Sequence, residues 1–204
     1  MDQDQIDELL REQGGPYVFD RMFSAVEKVR ERLDRACQAL NSADVPYAVI
    51  GGNAVAAWVA TRDEGAVRNT RDVDILLDPK DSNAATIALE AVGFHRVVTM
   101  GTTMFLDGED GKPSEAVHVI WAGQKVKDSY PVAAPEVGQS REIEQKKIVE
   151  LESLLAMKLV SFRDKDRVHI RDMIGVGLID ETWTTKFDPP LSERLQELLD
   201  DPDG

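Results

Sequence analysis

The chain has one cysteine in 204 residues, Cys37. No disulfide can close within it, and the place of Cys37 on an apolar helical face marks a buried spectator rather than a nucleophile. No run of 18 apolar residues occurs, and the opening Met1-Asp2-Gln3-Asp4 is too acidic for a signal peptide. A soluble, cytoplasmic protein with no membrane partner is expected. Positive charge is scarce, with 24 Lys and Arg against 38 Asp and Glu, a net charge of −14. That argues against the broad basic footprint that an extended nucleic-acid groove needs. Of the three histidines, His95 and His169 lack partners at metal-ligand spacing and read as surface or packing residues. Neither G-x-x-x-x-G-K-[ST] nor G-x-G-x-x-G is present, so the two nucleotide-binding classes with those fingerprints lose weight. No repeat or low-complexity tract appears.

What is present is a mixed pattern of strands and helices. Phe19, Phe23, Val26, Val29, Leu33, Cys37 and Leu40 recur on one side of a long amphipathic helix over residues 19–40. Residues 82–92 give a second amphipathic helix. Residues 97–106 and 116–121 are β-rich and are separated by a Gly- and Pro-containing run at 107–113 that signals a hairpin loop. Residues 124–139 read as an irregular crossing, followed by C-terminal helices that include 191–199. The expected architecture is α+β: a mixed β-sheet flanked by helices, with a core over 1–140 and a helical region packed on it over 141–204.

Two segments carry chemistry. Tyr47-Ala48-Val49-Ile50 reads as a buried strand that ends in Gly51-Gly52, with Asn53 as a plausible N-cap of the next helix. Glycines at such a turn let backbone approach a ligand, and the helix start offers free N–H groups and a positive dipole end to phosphate. Twenty residues on, Asp72-Val73-Asp74 lies on a second strand. Residues i and i+2 share a strand face, so both aspartates point one way while Val73, Ile75 and Leu77 point the other. Their Cα atoms lie about 6–7 Å apart, which lets two carboxylates converge on one Mg²⁺. A Gly pair or a D-x-D alone is common in an acidic chain. Together on neighbouring strands they form two halves of one phosphate-and-metal site.

With these residues in hand, the segment from about 45 to 180 resembles the nucleotidyltransferase superfamily with the polymerase-beta-like fold. Gly51-Gly52-Asn53-Ala54 and the R-x-T-x-D-V-D run from Arg68 to Asp74 are similar to the small bacterial AbiEii-type members. Leu154-Leu155-Ala156-Met157-Lys158-Leu159 and the following Arg163, Arg171 and Asp172 are similar to their C-terminal lysine helix and its continuation. The resemblance implies transfer of NMP from an NTP to a hydroxyl acceptor with one or two Mg²⁺ ions. Asp72 and Asp74 would hold the metal. Gly51, Gly52, Asn53, Arg68, Thr70 and Arg71 would form the nucleotide-binding side, and Lys158 would neutralise triphosphate charge. Leu151, Leu154, Leu155, Leu159 and Phe162 form an apolar stripe, so Lys158 is expected at the edge of the core with its head towards a cleft.

The family's third carboxylate falls on the strand Ala116-Val117-His118-Val119-Ile120-Trp121, where this chain has His118. As neutral imidazole it could ligate a metal or act as a base, and it is softer than Mg²⁺ prefers. Asp107, Glu109 and Glu115 are nearby acids that could substitute. The acceptor stays open between a small molecule, a protein and an RNA end. A toxin with a cognate antitoxin is one version; a degenerate nucleotide-binding or interaction module is the alternative.

Overall fold

The computed structural model describes residues 15–202, so the acidic opening of the chain lies outside it, as does the side chain of Phe19. Strands β1 (Tyr47–Ile50), β2 (Val73–Leu77), β3 (Phe94–Thr99), β4 (Thr102–Asp107), β5 (Val117–Trp121), β6 (Ser140–Ile143) and β7 (Lys146–Val149) form a seven-stranded mixed sheet in the order β3-β4-β5-β2-β1-β7-β6. Its middle holds β1 (Tyr47–Ile50) and β2 (Val73–Leu77), which are antiparallel; β5 (Val117–Trp121) runs parallel to β2 and β7 (Lys146–Val149) parallel to β1. All four residues of β1 are buried, as are Val73, Ile75, Leu76 and Leu77 of β2. Strands that bury both side-chain parities need helices on both faces, which is why these two read as apolar runs.

The first helix, α1 (Gly15–Ser42), packs on α3 (Ser82–Glu90) and on β2 and β5. Among its described side chains the buried ones lie in the later half. Leu33, Cys37 and Leu40 are buried, but Phe23 is 70% exposed and Val26 is exposed, so these two members of the apolar stripe expected along 19–40 do not face the core. Burial pushes the Cys37 thiol up to about 11, which suits the spectator role. α2 (Gly51–Ala60) lies on β1 and β2 and is backed by α4 (Leu151–Ser161) and α5 (Asp164–Gly175). Trp58 Nε1 donates to the Val149 carbonyl at 2.9 Å and fastens α2 to β7.

Two expectations change. The β-rich run at 97–106 is a hairpin of β3 (Phe94–Thr99) and β4 (Thr102–Asp107), because Met100 (φ 48°) and Gly101 (φ 76°) both take the left-handed conformation of a tight two-residue turn. The segment after 140, expected as helical, opens with β6 (Ser140–Ile143) and β7, and helices follow from Leu151 to α6 (Leu191–Asp200). The consecutive polar residues Ser140, Arg141 and Glu142 hide this hairpin at the sheet edge, where β6 exposes Arg141 and Glu142.

Candidate active site

The carboxyl end of β1 meets β2 at the pair Ile50↔Asp74, and Gly51 follows at once with φ +69°. A Cβ built on Gly51 would stand 2.1 Å from Asp74 Oδ2, and one on Gly52 would stand 2.6 Å from Thr70 Oγ1. No side chain larger than hydrogen fits under either neighbour without displacing it, and the left-handed φ adds a second reason at Gly51. The glycine pair is therefore required by the close approach of the β2 segment.

α2 begins at Gly51 rather than after Asn53, and no side chain caps it. Asn53 is not the N-cap: it sits within the first turn, and its Nδ2 donates to the Asp72 carbonyl at 2.7 Å. The helix start needs no cap of its own where glycines already shape the turn, so this asparagine ties helix to strand. The uncapped N–H groups keep the anion-attracting character of a helix N-terminus.

Asp72 and Asp74 are both half-buried. Lys165 Nζ stands 3.5 Å from Asp72 Oδ2, a loose ion pair with both side chains well exposed. Among the described residues no hydrogen bond or ion pair reaches the Asp74 carboxylate. Burial raises its pKa and the neighbouring Asp72 charge adds to that, while His118, Lys158 and Lys165 act in the opposite direction. His118 lies beside Asp74 in the parallel register of β2 and β5. Its Nε2 donates to the Pro113 carbonyl at 3.1 Å, which leaves the lone pair on Nδ1. Asp107, considered as a substitute acid, is committed to Arg32 and Arg35 of α1. Among the described residues no three His, Cys, Asp or Glu side chains converge as a metal cluster.

The opposite wall comes from α4 and α5. Phe162, in the left-handed conformation (φ 44°), ends α4 and folds α5 back against it. Arg194 Nη1 donates to the terminal carbonyls of Leu159 and Val160 at 2.6 and 3.2 Å, a cation at the negative end of the helix. The bend brings Lys158, 5% exposed, to Asp166, 0% exposed, at 3.0 Å. Asp166 also accepts from Ser161 Oγ at 2.7 Å and from Arg163 Nε at 2.8 Å. Burial works against its charge, but these donors and the Lys158 ammonium outweigh it and hold the carboxyl at about 2. Lys158 has its own pKa lowered, first by burial, with Asp166 opposing.

Between the walls lies a cleft of about 880 Å³. Gly51, Asp74 and Lys158 line it, joined by Arg163, Lys165 and Asp166. The other expected residues stand behind or beside it. Gly52 and Thr70 form the packed turn, and Asn53 holds the backbone of Asp72. Arg71 is exposed. Arg68 makes two 2.9 Å contacts to the Asp172 carboxylate and so clasps the loop before β2 to α5. Sequence reasoning missed Asp166 as the partner of Lys158, and it set aside His169, whose Nδ1 lies 2.9 Å from Lys158 Nζ. The i,i+3 repeat of Arg163, Asp166 and His169 along α5 was the available signal.

A mixed sheet flanked by helices in this order is a nucleotidyltransferase-like fold. No protein-family model matches it, and no curated protein matches it in sequence. Among solved structures it is similar to an H. pylori protein assigned as a nucleotidyltransferase, with a TM-score of 0.50 and 14% identity over 88% of this chain and 78% of that one. It is also similar to the antibiotic-resistance factor ANT(2'')-Ia, at 0.49 and 15% over 87% and 90%. A third is an antigenic nucleotidyltransferase-like protein from Paracoccidioides brasiliensis, at 0.46 and 20% over 87% and 89%.

Proposed function

We propose that the protein is a cytoplasmic, Mg²⁺-dependent nucleotidyltransferase that moves NMP from an NTP to a hydroxyl acceptor. The observation that carries this reading is the half-buried Asp74 carboxylate pressed against the Gly51 backbone, with no hydrogen bond or ion pair among the described residues, and Asp72 two residues before it in the chain. A buried carboxylate without a partner is costly, and a hard cation is the partner it suits. Two aspartate oxygen donors fit Mg²⁺, which completes its shell readily with water and phosphate oxygens. When bound, the ion would supply positive charge to orient the phosphates and stabilise the charge that develops in transfer.

The protein's own residues divide the remaining work. The uncapped start of α2 attracts the β- and γ-phosphates, and Lys158 with Arg163 and Lys165 offsets their charge across the cleft. The acceptor hydroxyl oxygen attacks the α-phosphorus, the bond from that phosphorus to the oxygen bridging to the β-phosphate breaks, and pyrophosphate leaves. His118 Nδ1 takes the hydroxyl proton while Nε2 stays bound to the Pro113 carbonyl. Within this reading an AbiEii-type relationship and a toxin held by a cognate antitoxin are the finer proposal, motivated by the run from Arg68 to Asp74.

The test is incubation with each labelled NTP and Mg²⁺, following pyrophosphate release and label transfer to small molecules, RNA ends and the protein itself. Absence of all products, with Asp72→Asn/Asp74→Asn indistinguishable from wild type, sinks it. A second reading, a nucleotide-binding or interaction module without turnover, is favoured by His118 standing where the resemblance calls for a third carboxylate and by the lack of a three-ligand cluster among the described residues. Calorimetric binding of Mg²⁺ and NTP without product would select that reading.

A further inference from the structure

We infer that His169 is a positioning residue for Lys158: its Nδ1 accepts one ammonium proton, Asp166 accepts a second, and one donor is left for a phosphate oxygen in the cleft. This role rests on the nucleotide reading above. Lys158 is buried, and its Nζ lies 2.9 Å from His169 Nδ1 and 3.0 Å from Asp166 Oδ1. An ammonium carries three donors and no acceptor, so at this contact the imidazole must be the acceptor, with its proton on Nε2. Burial, aided by the Lys158 charge, pushes the His169 pKa down to about 4, which keeps the ring neutral at neutral pH.

Asp166 cannot hold the ammonium in one orientation by itself. Its Oδ2 is taken by Ser161 and Arg163, so Lys158 has one contact to Oδ1 and could swing about it. His169 supplies the second fixed point, from the next turn of α5. Two acceptors then set the direction of the third N–H, and the cleft that Lys158 lines also contains Asp74 and Gly51. A fixed donor loses less freedom when it meets a phosphate than one that must first be ordered. A hydrophobic replacement would keep the volume and remove the orientation.

The experiment compares His169→Leu, which lacks an acceptor, with His169→Asn, whose amide oxygen can take the place of Nδ1. Binding of Mg·ATP, Mg·GTP, Mg·CTP and Mg·UTP is measured by calorimetry, thermal melts check folding, and ¹⁵N NMR of the wild-type imidazole reads the tautomer. We expect an unprotonated, hydrogen-bonded Nδ1 at pH 7, binding about tenfold weaker in His169→Leu, and binding within about threefold of wild type in His169→Asn. A proton on Nδ1, wild-type affinity in His169→Leu, or a folded His169→Asn as weak as His169→Leu each overturns the role alone. Wild-type protein that binds none of the four nucleotides overturns the nucleotide reading and this role with it. If His169→Leu does not fold, the NMR result and His169→Asn still decide.

Discussion

The strand wall of the cleft leaves charge unpaired where the helical wall pairs the charge it buries. On the strand side, Asp74 faces the cleft with no hydrogen bond or ion pair among the described residues, and Asp72 has only the loose Lys165 contact. On the helical side, Asp166 is 0% exposed and is held by Lys158, Arg163 and Ser161, while Lys158 is held in turn by Asp166 and His169. The difference separates two kinds of preparation. One wall leaves the Asp74 carboxylate without a direct partner among the described residues. The other has met its electrostatic demand in advance, so its lysine is already oriented.

The sharpest way to break this contrast is to neutralise the open wall. Asp72→Asn/Asp74→Asn should lower transfer by about 10²–10³-fold or more, measured as initial rates of pyrophosphate release. The single Asp74→Asn should at the same time raise thermal stability by roughly 2–4 °C at pH 7. The sign follows from the raised pKa: the fold favours the protonated carboxyl, so the stability it contributes is present at low pH and lost as pH rises through that pKa. A melting point that falls instead would mean that the Asp74 charge is paired.

Breaking the satisfied wall should have the opposite character. Asp166→Ala leaves Lys158 and Arg163 with no shared counter-charge and should cost about 3–5 kcal/mol in urea unfolding. A loss below about 1 kcal/mol would show that the pair is not buried as described. Gly51→Ala, which meets both the positive φ and the Asp74 oxygen at 2.1 Å, should cost about 1–2 kcal/mol and weaken Mg²⁺-dependent nucleotide binding. Unchanged binding would show that the close approach plays no part in holding the nucleotide.

Acid should separate the helical residues by pH window. His169 has its pKa depressed from 6.5 to about 4, so its neutral form contributes stability above pH 6.5 that is lost as pH falls towards 4. Asp166, depressed from 3.8 to about 2, contributes stability that disappears only below about 4. Between pH 6.5 and 4 the urea midpoint of His169→Leu should therefore fall less, or rise more, than that of wild type; equal slopes would contradict the assignment. The smallest effect belongs to Arg68→Ala, whose ion pair with Asp172 has a 59% exposed arginine and should be worth less than about 1 kcal/mol.

Much of the strand wall was legible because strand periodicity and turn chemistry are local. The apolar alternation of Val73, Ile75 and Leu77 marks a strand, and a glycine pair after an apolar run marks a turn. The helical wall was less legible. Lys158 stood out at the edge of an apolar stripe, but its partners depend on the reversal at Phe162, a left-handed residue that no local preference for phenylalanine announces. His169 looked like a packing residue because its companion is a lysine on another helix. The β6–β7 hairpin was missed for a related reason: an edge strand with exposed polar side chains lacks the apolar run of β1.

The central strands and the glycine turn were already written in the amino-acid order, since each follows from side-chain alternation and backbone sterics within a few residues. Tertiary structure alone decided that Asn53 ties Asp72 rather than capping α2, that His118 stands beside Asp74, and that Asp166 and His169 orient Lys158. Those relations join groups from separate elements. They depend on where strand register and helix reversal place atoms that the chain's order leaves apart.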